Sequence, residues 1–560
     1  MVYKVGKGRG PWHTNRETQG TSTTSLISVG AKVASIGHSY VMAGAAGGSA
    51  TASNPQIYSH SRGTIAQLVT INPAFRHDVR FGFNLASLTG TFTGTWTPGD
   101  TVTQAATGFS GTLLSANAGH IVVGSPTGTF TTAAVASSSG GTSTSISTAD
   151  INNVLGYAQG LVGDMIQPLA GYPGASSRVT KLSALANAPD FIEIDTLVNS
   201  LLNGRTGAQA VTDLQTLVAS VRAAFPNAVI SVWNCAGFTS DSGFNTVTNR
   251  QRIADCNKGL VTAVPTWPLY GTKLFLHDQF SIPLASPIDI NTDSDAYAAG
   301  TTYPVKVSWY YDTLHPAQRY SAAKAAILNN TWSPKIVAGN WFATTYLGTT
   351  NSITNPNALL TGTAGAVSGT SVTKAISSNG AMVGANPLAQ VPTGMTVTGP
   401  SSASTVKCWT EDDPDTSGGR RLCIECTNSG LTEQVTITPN TVTGGVAVSG
   451  NTSWVRFYAK VWHDASGMAS QMLSQLAVLS NQKSQCMVTD AITTAPTESK
   501  RLPQVAMTRY FVTPHYQLDG SQNANLKLGI QINWANDNPG TQVFKLSCGM
   551  WLGAVTAPDF

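Results

Sequence analysis

The chain has 560 residues, a formal net charge of +4, 41% hydrophobic residues and only 11% charged residues. That balance excludes a disordered chain, which couples low hydrophobicity to high charge, and a dedicated nucleic-acid binder, since no Lys/Arg cluster interleaved with aromatics is present. No stretch approaches the roughly 20 apolar residues of a membrane helix, so no membrane insertion is expected. The 54 glycines, accompanied by many Ser and Thr, suit a β-rich extracellular or particle-bound protein, and the length predicts several domains.

Residues 1–30 hold neither an apolar signal core nor a lipidation motif and are read as a separate amino-terminal segment. Ala31 to Ile36 is an apolar run that predicts a short buried strand, and Gly37 permits a sharp turn at its end. The turn Gly37-His38-Ser39-Tyr40 would expose Ser39 at the carboxyl edge of a sheet, where open α/β folds bind ligands. Residues 88–147 are dense in Gly, Thr and Ser with alternating apolar positions, and Thr89-Gly90-Thr91-Phe92 recurs as Thr127-Gly128-Thr129-Phe130. They are read as a β-rich insertion that shapes a substrate groove, mediates subunit contacts or decorates the surface, with His120 as a turn residue.

Further on, Gly171 to Ser177 is turn-rich, and loop geometry alone would account for Gly171 and Gly174. Pro189 to Asp195 predicts a strand running into Thr196-Leu197-Val198-Asn199-Ser200, where Asn199 is either a turn or cap residue or a side-chain donor. Asp213 to Phe225 has helical periodicity, and Val229 to Trp233 reads as a strand. Arg250 to Val264 reads as a helix, and Leu274 to Leu276 as a strand that ends at His277-Asp278. This alternation predicts an α/β class, with a parallel sheet covered on both faces by helices. In Tyr311-Asp312-Thr313-Leu314-His315-Pro316, Asp312 and His315 can share one turn, and Pro316 suits the first position of a helix over Ala317 to Leu328. Ser39, His315 and Asp312 together supply a nucleophile, a base and an orienting acid. His277 and Asp278 form a second-ranked candidate pair.

After Trp332-Ser333-Pro334, residues 338–560 hold many short alternating segments separated by Gly, Asn, Pro and Ser, which predict a β-sandwich. The one helical candidate, Ser466 to Val478, is read as a loop crossing an end of that sandwich. Trp409, Trp454, Trp462, Tyr516 and Trp534 are core residues or platforms for sugars, and their strand spacing favours the core. The seven cysteines show no zinc spacing, and Cys423-Ile424-Glu425-Cys426 lacks the βαβ context of a redox motif. They are read as mostly buried thiols, with a disulfide among Cys408, Cys423 and Cys426 as the alternative. No cofactor and no metal are implied.

Taken together, these blocks resemble the SGNH (GDSL-type) hydrolases over roughly residues 31–335. Gly37-His38-Ser39-Tyr40 is similar to the first family block, with His38 where the family has aspartate. Gly171 to Ser177 is similar to the second, and the resemblance makes Gly174 the oxyanion glycine. Asn199 falls where the family's asparagine stands, with Leu197 and Ser200 in place of a glycine and an aspartate. Asp312 to Pro316 matches the final block without departure. The resemblance implies a three-layer α/β/α domain with Ser39, Asp312 and His315 as catalytic residues. It implies an oxyanion hole formed by the backbone N–H groups of Ser39 and Gly174 and the Asn199 amide. The segment Asn355 to Thr363 resembles the opening of jelly-roll modules found behind such domains in phage tail proteins.

The expected protein is therefore a serine esterase with an SGNH-like domain at 31–335, a β-rich insertion at 88–147 and a C-terminal sandwich at 338–560 that binds carbohydrate or trimerises. Resemblance to phage tailspike and tail-fibre esterases implies an O-acetylated bacterial surface polysaccharide as substrate. It further implies a homotrimer, a virion or other extracellular location, and contacts with other tail proteins. The alternatives are a glycan-binding virion protein or adhesin that retains only the fold, and a cellular carbohydrate esterase.

Overall fold

The computed structural model describes residues 26–37, 56–57, 63–76, 79–81, 85–97, 99–117, 119–124, 127–128, 130–150, 154–156, 158–160, 165–167, 175–183, 187–238, 242–283, 310, 318–339, 360–400, 404–415, 417–431, 433–439, 446–447, 454–466, 471–478, 482–487, 505–512, 516–517, 525–534 and 540–553. In chain order, the first elements are β1 (Ala31–Gly37), β2 (Gln56–Ile57), α1 (Thr64–Ile71), β3 (Phe75–Arg76) and β4 (Val79–Phe81). Next come β5 (Leu85–Thr93), β6 (Thr101–Gln104), β7 (Phe109–Asn117), β8 (His120–Gly124), β9 (Ala136–Ser137) and β10 (Thr142–Asp150). They are followed by β11 (Val154–Gly156), β12 (Ala158–Gly160), α2 (Ala175–Ser183), β13 (Phe191–Asp195), α3 (Leu197–Leu202) and α4 (Gly207–Ala224). The half closes with β14 (Val229–Trp233), α5 (Val247–Ala263), β15 (Leu274–His277) and α6 (Gln318–Trp332).

Strands β12, β1, β13, β14 and β15 hydrogen-bond in that order as a parallel sheet, with β3 also pairing with β1. Because side chains alternate along a strand, each strand divides its residues between two cores. Ala34, Ile36, Ile192, Ile194, Ile230, Val232, Leu274 and Leu276 join an aliphatic cluster with residues of α2, α3, α4 and α5. The alternate residues Ala31, Val33, Phe191, Val229 and Trp233 join a second cluster with α1 and α6. Helices thus cover both faces, which is why these strands place apolar residues on both.

The helices start where their caps dictate. At α4, the Thr206 hydroxyl accepts from the Gln209 N–H and the Gln209 side chain accepts from the Thr206 N–H, a reciprocal capping box. That box starts the helix at Gly207, six residues before the expected Asp213. At the other end, Arg222 donates to the carbonyls of Pro226, Ala228 and Lys273, stitching the helix terminus to the starts of β14 and β15. At α5 the Thr246 hydroxyl caps Asn249 N–H.

Strands β10, β5, β8, β7, β6 and β9 close into a barrel. Its core holds Leu88, Phe92, Val102, Ile121, Val123 and Phe130, so both copies of the Thr-Gly-Thr-Phe repeat bury their phenylalanine in the same interior. The chain enters the barrel through β4 and leaves through β11, and these two strands pair antiparallel as a stem.

The C-terminal half contains β16 (Ala366–Ser368), β17 (Val372–Lys374), β18 (Met395–Thr398), β19 (Thr405–Asp412), β20 (Arg420–Asn428), β21 (Glu433–Pro439) and β22 (Val446–Ala447). It continues with β23 (Trp454–His463), β24 (Gln471–Val478), β25 (Gln482–Met487), β26 (Met507–Val512), β27 (Tyr516–Gln517), β28 (Asn525–Trp534) and β29 (Gly540–Gly553). One sheet runs β16-β18-β21-β28-β24-β25-β2, with β22 beside β28. The other runs β17-β19-β20-β29-β23-β26, with β27 beside β23. The expected helical candidate at Ser466–Val478 is corrected: Gln471–Val478 is β24, held between β25 and β28. Pairing on both sides overrides the local helical propensity of Met472, Leu473, Leu476 and Ala477.

The two halves are joined. Strand β2 extends the edge of the first C-terminal sheet by pairing parallel with β25, and the Arg509 guanidinium donates to the Thr70 hydroxyl of α1 at 3.3 Å. Among the described residues Cys408, Cys423 and Cys426 are free, buried thiols. The disulfide alternative is corrected, since all three are free; Cys408 stands opposite Ile424 and Cys423 opposite Trp409, which puts Cys423 on the opposite face of the sheet from Cys408. No helix among the described residues is long and apolar enough to cross a membrane.

The aromatic contacts under α6 generate a stability prediction. Phe191 lies 5.0 Å from Trp332 and 5.4 Å from Phe75, all three fully buried. Trp332→Ala is expected to cost about 3–5 kcal/mol, read as a lower denaturant midpoint of the amino-terminal half by near-ultraviolet circular dichroism.

Candidate active site

Every strand of the parallel sheet ends toward the same edge, and polar side chains gather there on one face only. Ser35, Glu193, Asp195, Ser231 and His277 occupy the same parity as Val33, Phe191, Val229 and Trp233, and all are buried. The face under α6 is therefore apolar at its amino half and polar toward its carboxyl edge. The opposite face stays aliphatic throughout.

Lys324 of α6 reaches into this polar half. Its ammonium donates to Asp195 Oδ2 at 2.6 Å, stands 3.6 Å from Glu193 Oε1 and lies 4.5 Å from the centre of the Trp233 ring. The Trp233 indole donates to Glu193 Oε1 at 2.7 Å. Burial pushes the Glu193 carboxyl above its usual range; Lys324 pulls it back and the Asp195 charge adds to the rise. Two carboxylates and one ammonium thus share a buried site.

A second layer of bonds ties the strand ends together. Gln279 Nε2 donates to Asp195 Oδ1 at 3.0 Å and to the Asn234 carbonyl at 2.5 Å. Asn234 Oδ1 accepts from the N–H groups of Gln279 and Phe280, and its amide donates to Asp278 Oδ1 at 2.7 Å. The Tyr320 hydroxyl, in the first turn of α6, donates to the Gln279 carbonyl at 2.8 Å. The Tyr310 hydroxyl donates to the Gly237 carbonyl at 2.8 Å, just beyond β14.

Four of the five expected site residues, Ser39, Gly174, Asp312 and His315, lie outside the described residues. Their chain neighbours are described. Gly37, two residues before Ser39, ends β1 in register with Asp195 of β13 and Gly160 of β12. Ala175, which follows Gly174, opens α2, and its N–H donates to the Met165 carbonyl at 2.8 Å. The Ile166 N–H donates to the Ser200 hydroxyl at 3.2 Å, which links that segment to α3. Tyr310 precedes Asp312 by two residues, and α6 begins three residues after His315.

Asn199 is described. It lies in α3, 8% exposed, and its carbonyl accepts from the Asn203 N–H at 3.0 Å and the Asn203 side-chain amide at 2.8 Å. The expected loop at Leu197–Ser200 is a helix, because Leu197, Val198 and Leu201 all turn into the aliphatic core. Asn199 is therefore neither its cap nor a turn residue: Thr196 and Asn203 flank the helix.

The second-ranked pair does not form. His277 Nε2 lies 2.9 Å from the Ser231 hydroxyl, which also accepts from the Trp332 indole at 2.9 Å. Asp278 faces the other way and accepts from Asn234, Phe280 and Ser281. Successive residues at a strand end point to opposite sides, so neighbours in sequence cannot share a proton there. Burial, aided by the charge of Lys324, lowers the His277 pKa to about 3. An imidazole so weakly basic, bonded to a Ser231 with no exposed surface, makes no nucleophile–base pair.

The buried network of Lys324, Glu193, Asp195 and Gln279 was not anticipated from the sequence. The signal for two of them was the alternation in Phe191-Ile192-Glu193-Ile194-Asp195, where acids take every second place in a buried strand. Among the described residues no group of three or more His, Cys, Asp or Glu side chains is arranged to hold a metal ion.

No family model and no curated protein matches the chain. Solved structures with some likeness include an arabinose-bound α-L-arabinofuranosidase at 12% identity, covering 29% of this chain and 23% of that one, with a TM-score of 0.19. A peptidoglycan O-acetylesterase is 11% identical over 45% of this chain and 64% of its own, with a TM-score of 0.22. A family two carbohydrate esterase from Clostridium thermocellum, in complex with cellohexaose, is 12% identical over 46% of this chain and 91% of its own, with a TM-score of 0.19. Scores in this range place the chain in no family.

Two predictions follow from the buried charges. Lys324→Met leaves Asp195 and Glu193 without a counter-charge and is expected to destabilise the protein by about 3–5 kcal/mol at neutral pH. The deficit should shrink as the medium is acidified and the carboxylates protonate, which urea titrations at neutral and acid pH would read directly. For His277, the unfolded imidazole protonates near 6.5 and the folded one only near 3. Its contribution is complete above 6.5 and is lost as pH falls through that window, by up to about 1.4 kcal/mol per pH unit. His277→Gln, which keeps a hydrogen-bonding group toward Ser231, should flatten the acid limb of the stability profile; an unchanged slope would contradict the assignment.

Proposed function

We propose that the protein is a serine esterase with a three-layer α/β/α SGNH-like domain, and that it removes O-acetyl groups from a bacterial surface polysaccharide. The single observation that carries this reading is the shared location of the chain stations around the expected triad. Gly37 ends β1 beside Asp195, Ala175 is tied through Met165 and Ile166 to Ser200, and Tyr310 and Tyr320 are anchored beyond β14 and β15. All of these lie at the carboxyl edge of one parallel sheet, and the segments bearing Ser39, Gly174, Asp312 and His315 leave from or arrive at those stations.

In the mechanism, Ser39 Oγ attacks the acetyl carbonyl carbon while His315 takes the hydroxyl proton and Asp312 orients the imidazole. The carbonyl oxygen becomes an oxyanion, held by the backbone N–H groups of Ser39 and Gly174 and by the Asn199 side-chain amide. Collapse expels the sugar oxygen, which takes the proton from His315 and leaves an acetyl-serine. Water, deprotonated by His315, then attacks that ester and releases acetate and free Ser39. The reading extends to a homotrimer in a phage tail, which acts outside the cell on a polymeric substrate and contacts other tail proteins. Sedimentation of the purified chain tests the trimer.

The second reading, a glycan-binding virion protein without turnover, is favoured by one local feature. Leu197 and Ser200 replace the glycine and aspartate of the SGNH pattern, and both are buried in α3 rather than free in a loop.

The deciding measurement is acetate release from O-acetylated polysaccharide, or hydrolysis of a chromogenic acetate ester. Ser39→Ala and His315→Ala are each expected to lower turnover by about ten thousand-fold or more. Asn199→Ala should lower it by about a hundred- to a thousand-fold, with little change in KM. Wild-type turnover in Ser39→Ala would refute the nucleophile assignment.

A further inference from the structure

The outer face of the second C-terminal sheet carries a built cleft. Trp409 of β19, Cys423 of β20 and Val543 of β29 are buried there, with Met382 and Trp462 packed over them. The strands alternate, so this face is distinct from the sandwich interior, to which Cys408, Leu422, Ile424, Val461 and Phe544 contribute. Sheet faces that meet solvent usually carry scattered polar residues. This one instead holds an organised group beneath a cleft of about 310 Å³, at the lower end of the size range of small-molecule sites.

Its lining includes Met382, Arg421, Trp462, Asp464, Ala506 and Lys545. The organising centre is Glu411, which has no exposed surface. Its carboxylate accepts from Lys545 Nζ at 2.7 Å, Arg421 Nε at 2.7 Å and the Gly384 N–H at 2.7 Å. Burial alone would raise the Glu411 carboxyl, but the donors from Lys545 and Gly384 and the charges of Lys545 and Arg421 outweigh it and hold it below the ordinary range. The Glu411 network locks the two cations in place. The Lys545 ammonium, directly across the ladder from Trp462, stands 5.3 Å from the centre of the indole ring. Asp464 is fixed by the N–H groups of Ser466 and Val543, both at 2.9 Å, and each oxygen retains a lone pair for a ligand. Arg421 spends Nε and Nη2 on Glu411, and among the described residues Nη1 is left for the cleft.

We propose that this cleft is a binding site for a neutral pyranose unit. An indole supplies an apolar platform for the C–H face of a sugar ring, and a guanidinium N–H with a nearby carboxylate supplies the donor and acceptor that vicinal hydroxyls need. The charges decide between neutral and anionic sugars. Arg421 and Lys545 are balanced by Glu411 and Asp464, so the cleft has no net charge to attract a uronate or a phosphate. The site is preorganised by groups that are themselves hydrogen-bonded, which lowers the cost of binding. It is built entirely from C-terminal residues and does not rest on the esterase reading.

The test uses the full chain and follows intrinsic tryptophan fluorescence and isothermal titration with D-glucose, D-galactose, N-acetyl-D-glucosamine and their oligosaccharides, against D-glucuronic acid. Saturable binding of at least one neutral sugar, with glucuronic acid weaker, is the expected result. Trp462→Ala should weaken that binding about tenfold or more. Ala506→Leu, at an exposed position on the lip, should do the same by filling the cleft without disturbing the sheet. Both variants should keep wild-type hydrolysis of a small acetate ester, whereas Ser39→Ala should lose hydrolysis and keep sugar binding. No saturable binding by any neutral sugar, binding unaffected by both cleft variants, or tighter binding of glucuronic acid would overturn the proposal.

Discussion

One buried ammonium organises the amino-terminal half. Lys324 of α6 stands between Asp195 and Glu193, and all three side chains are buried. Removing the lysine would leave two buried carboxylates without their counter-charge. The helix is therefore bound to the carboxyl ends of β13 and β14 by electrostatics as well as by the packing of Leu328 and Trp332. The energetic logic resembles that of other buried ion clusters: the interaction confers position more than net stability.

The same economy appears at the strand ends. Asn234, Gln279 and Tyr320 satisfy one another and the backbone around them, so the carboxyl edge is held by side-chain bonds where the β-ladder stops. A site built on such an edge gains precision from rigid elements and leaves its loops free to vary in sequence. The barrel formed by β5 to β10 is compatible with that arrangement, since its paired stem brings the chain back to nearly the point it left. The C-terminal sheets are not independent of it either: β2 and α1 both touch them, so the two halves share an interface.

The parts of this architecture that were legible in the chain are those set by local pattern. Ala31–Ile36, Pro189–Asp195 and Val229–Trp233 read as buried strands because they are short, mostly apolar runs, and the strands Ala31–Gly37, Phe191–Asp195 and Val229–Trp233 lie there. The expected helices over 213–225, 250–264 and 317–328 correspond to α4, α5 and α6, with ends shifted by caps and packing. Gln471–Val478 was misread because its composition permits a helix and only its two neighbouring strands forbid one. Leu197–Ser200 was misread in the opposite sense, since three apolar residues at helical spacing found a core to enter. The pairing of His277 with Asp278 failed for a simpler reason, as adjacency along a strand is separation across it.

What the sequence by itself determined is the order of chemistry along the chain: a serine after a buried strand, a glycine turn, an asparagine, then Asp312 and His315 before a helix. It also determined the alternation that splits each strand between two cores, since that follows from side-chain period alone. Only the tertiary structure decided that Lys324, Glu193 and Asp195 meet, that Ser231 rather than Asp278 holds His277, and that Trp462 lines a cleft while Trp409 is buried beneath it. Each of those outcomes depends on residues far apart in the chain and on which face of a sheet is covered. Local periodicity restricts such contacts, but the partners are chosen by the cost of burying an unpaired charge or polar group.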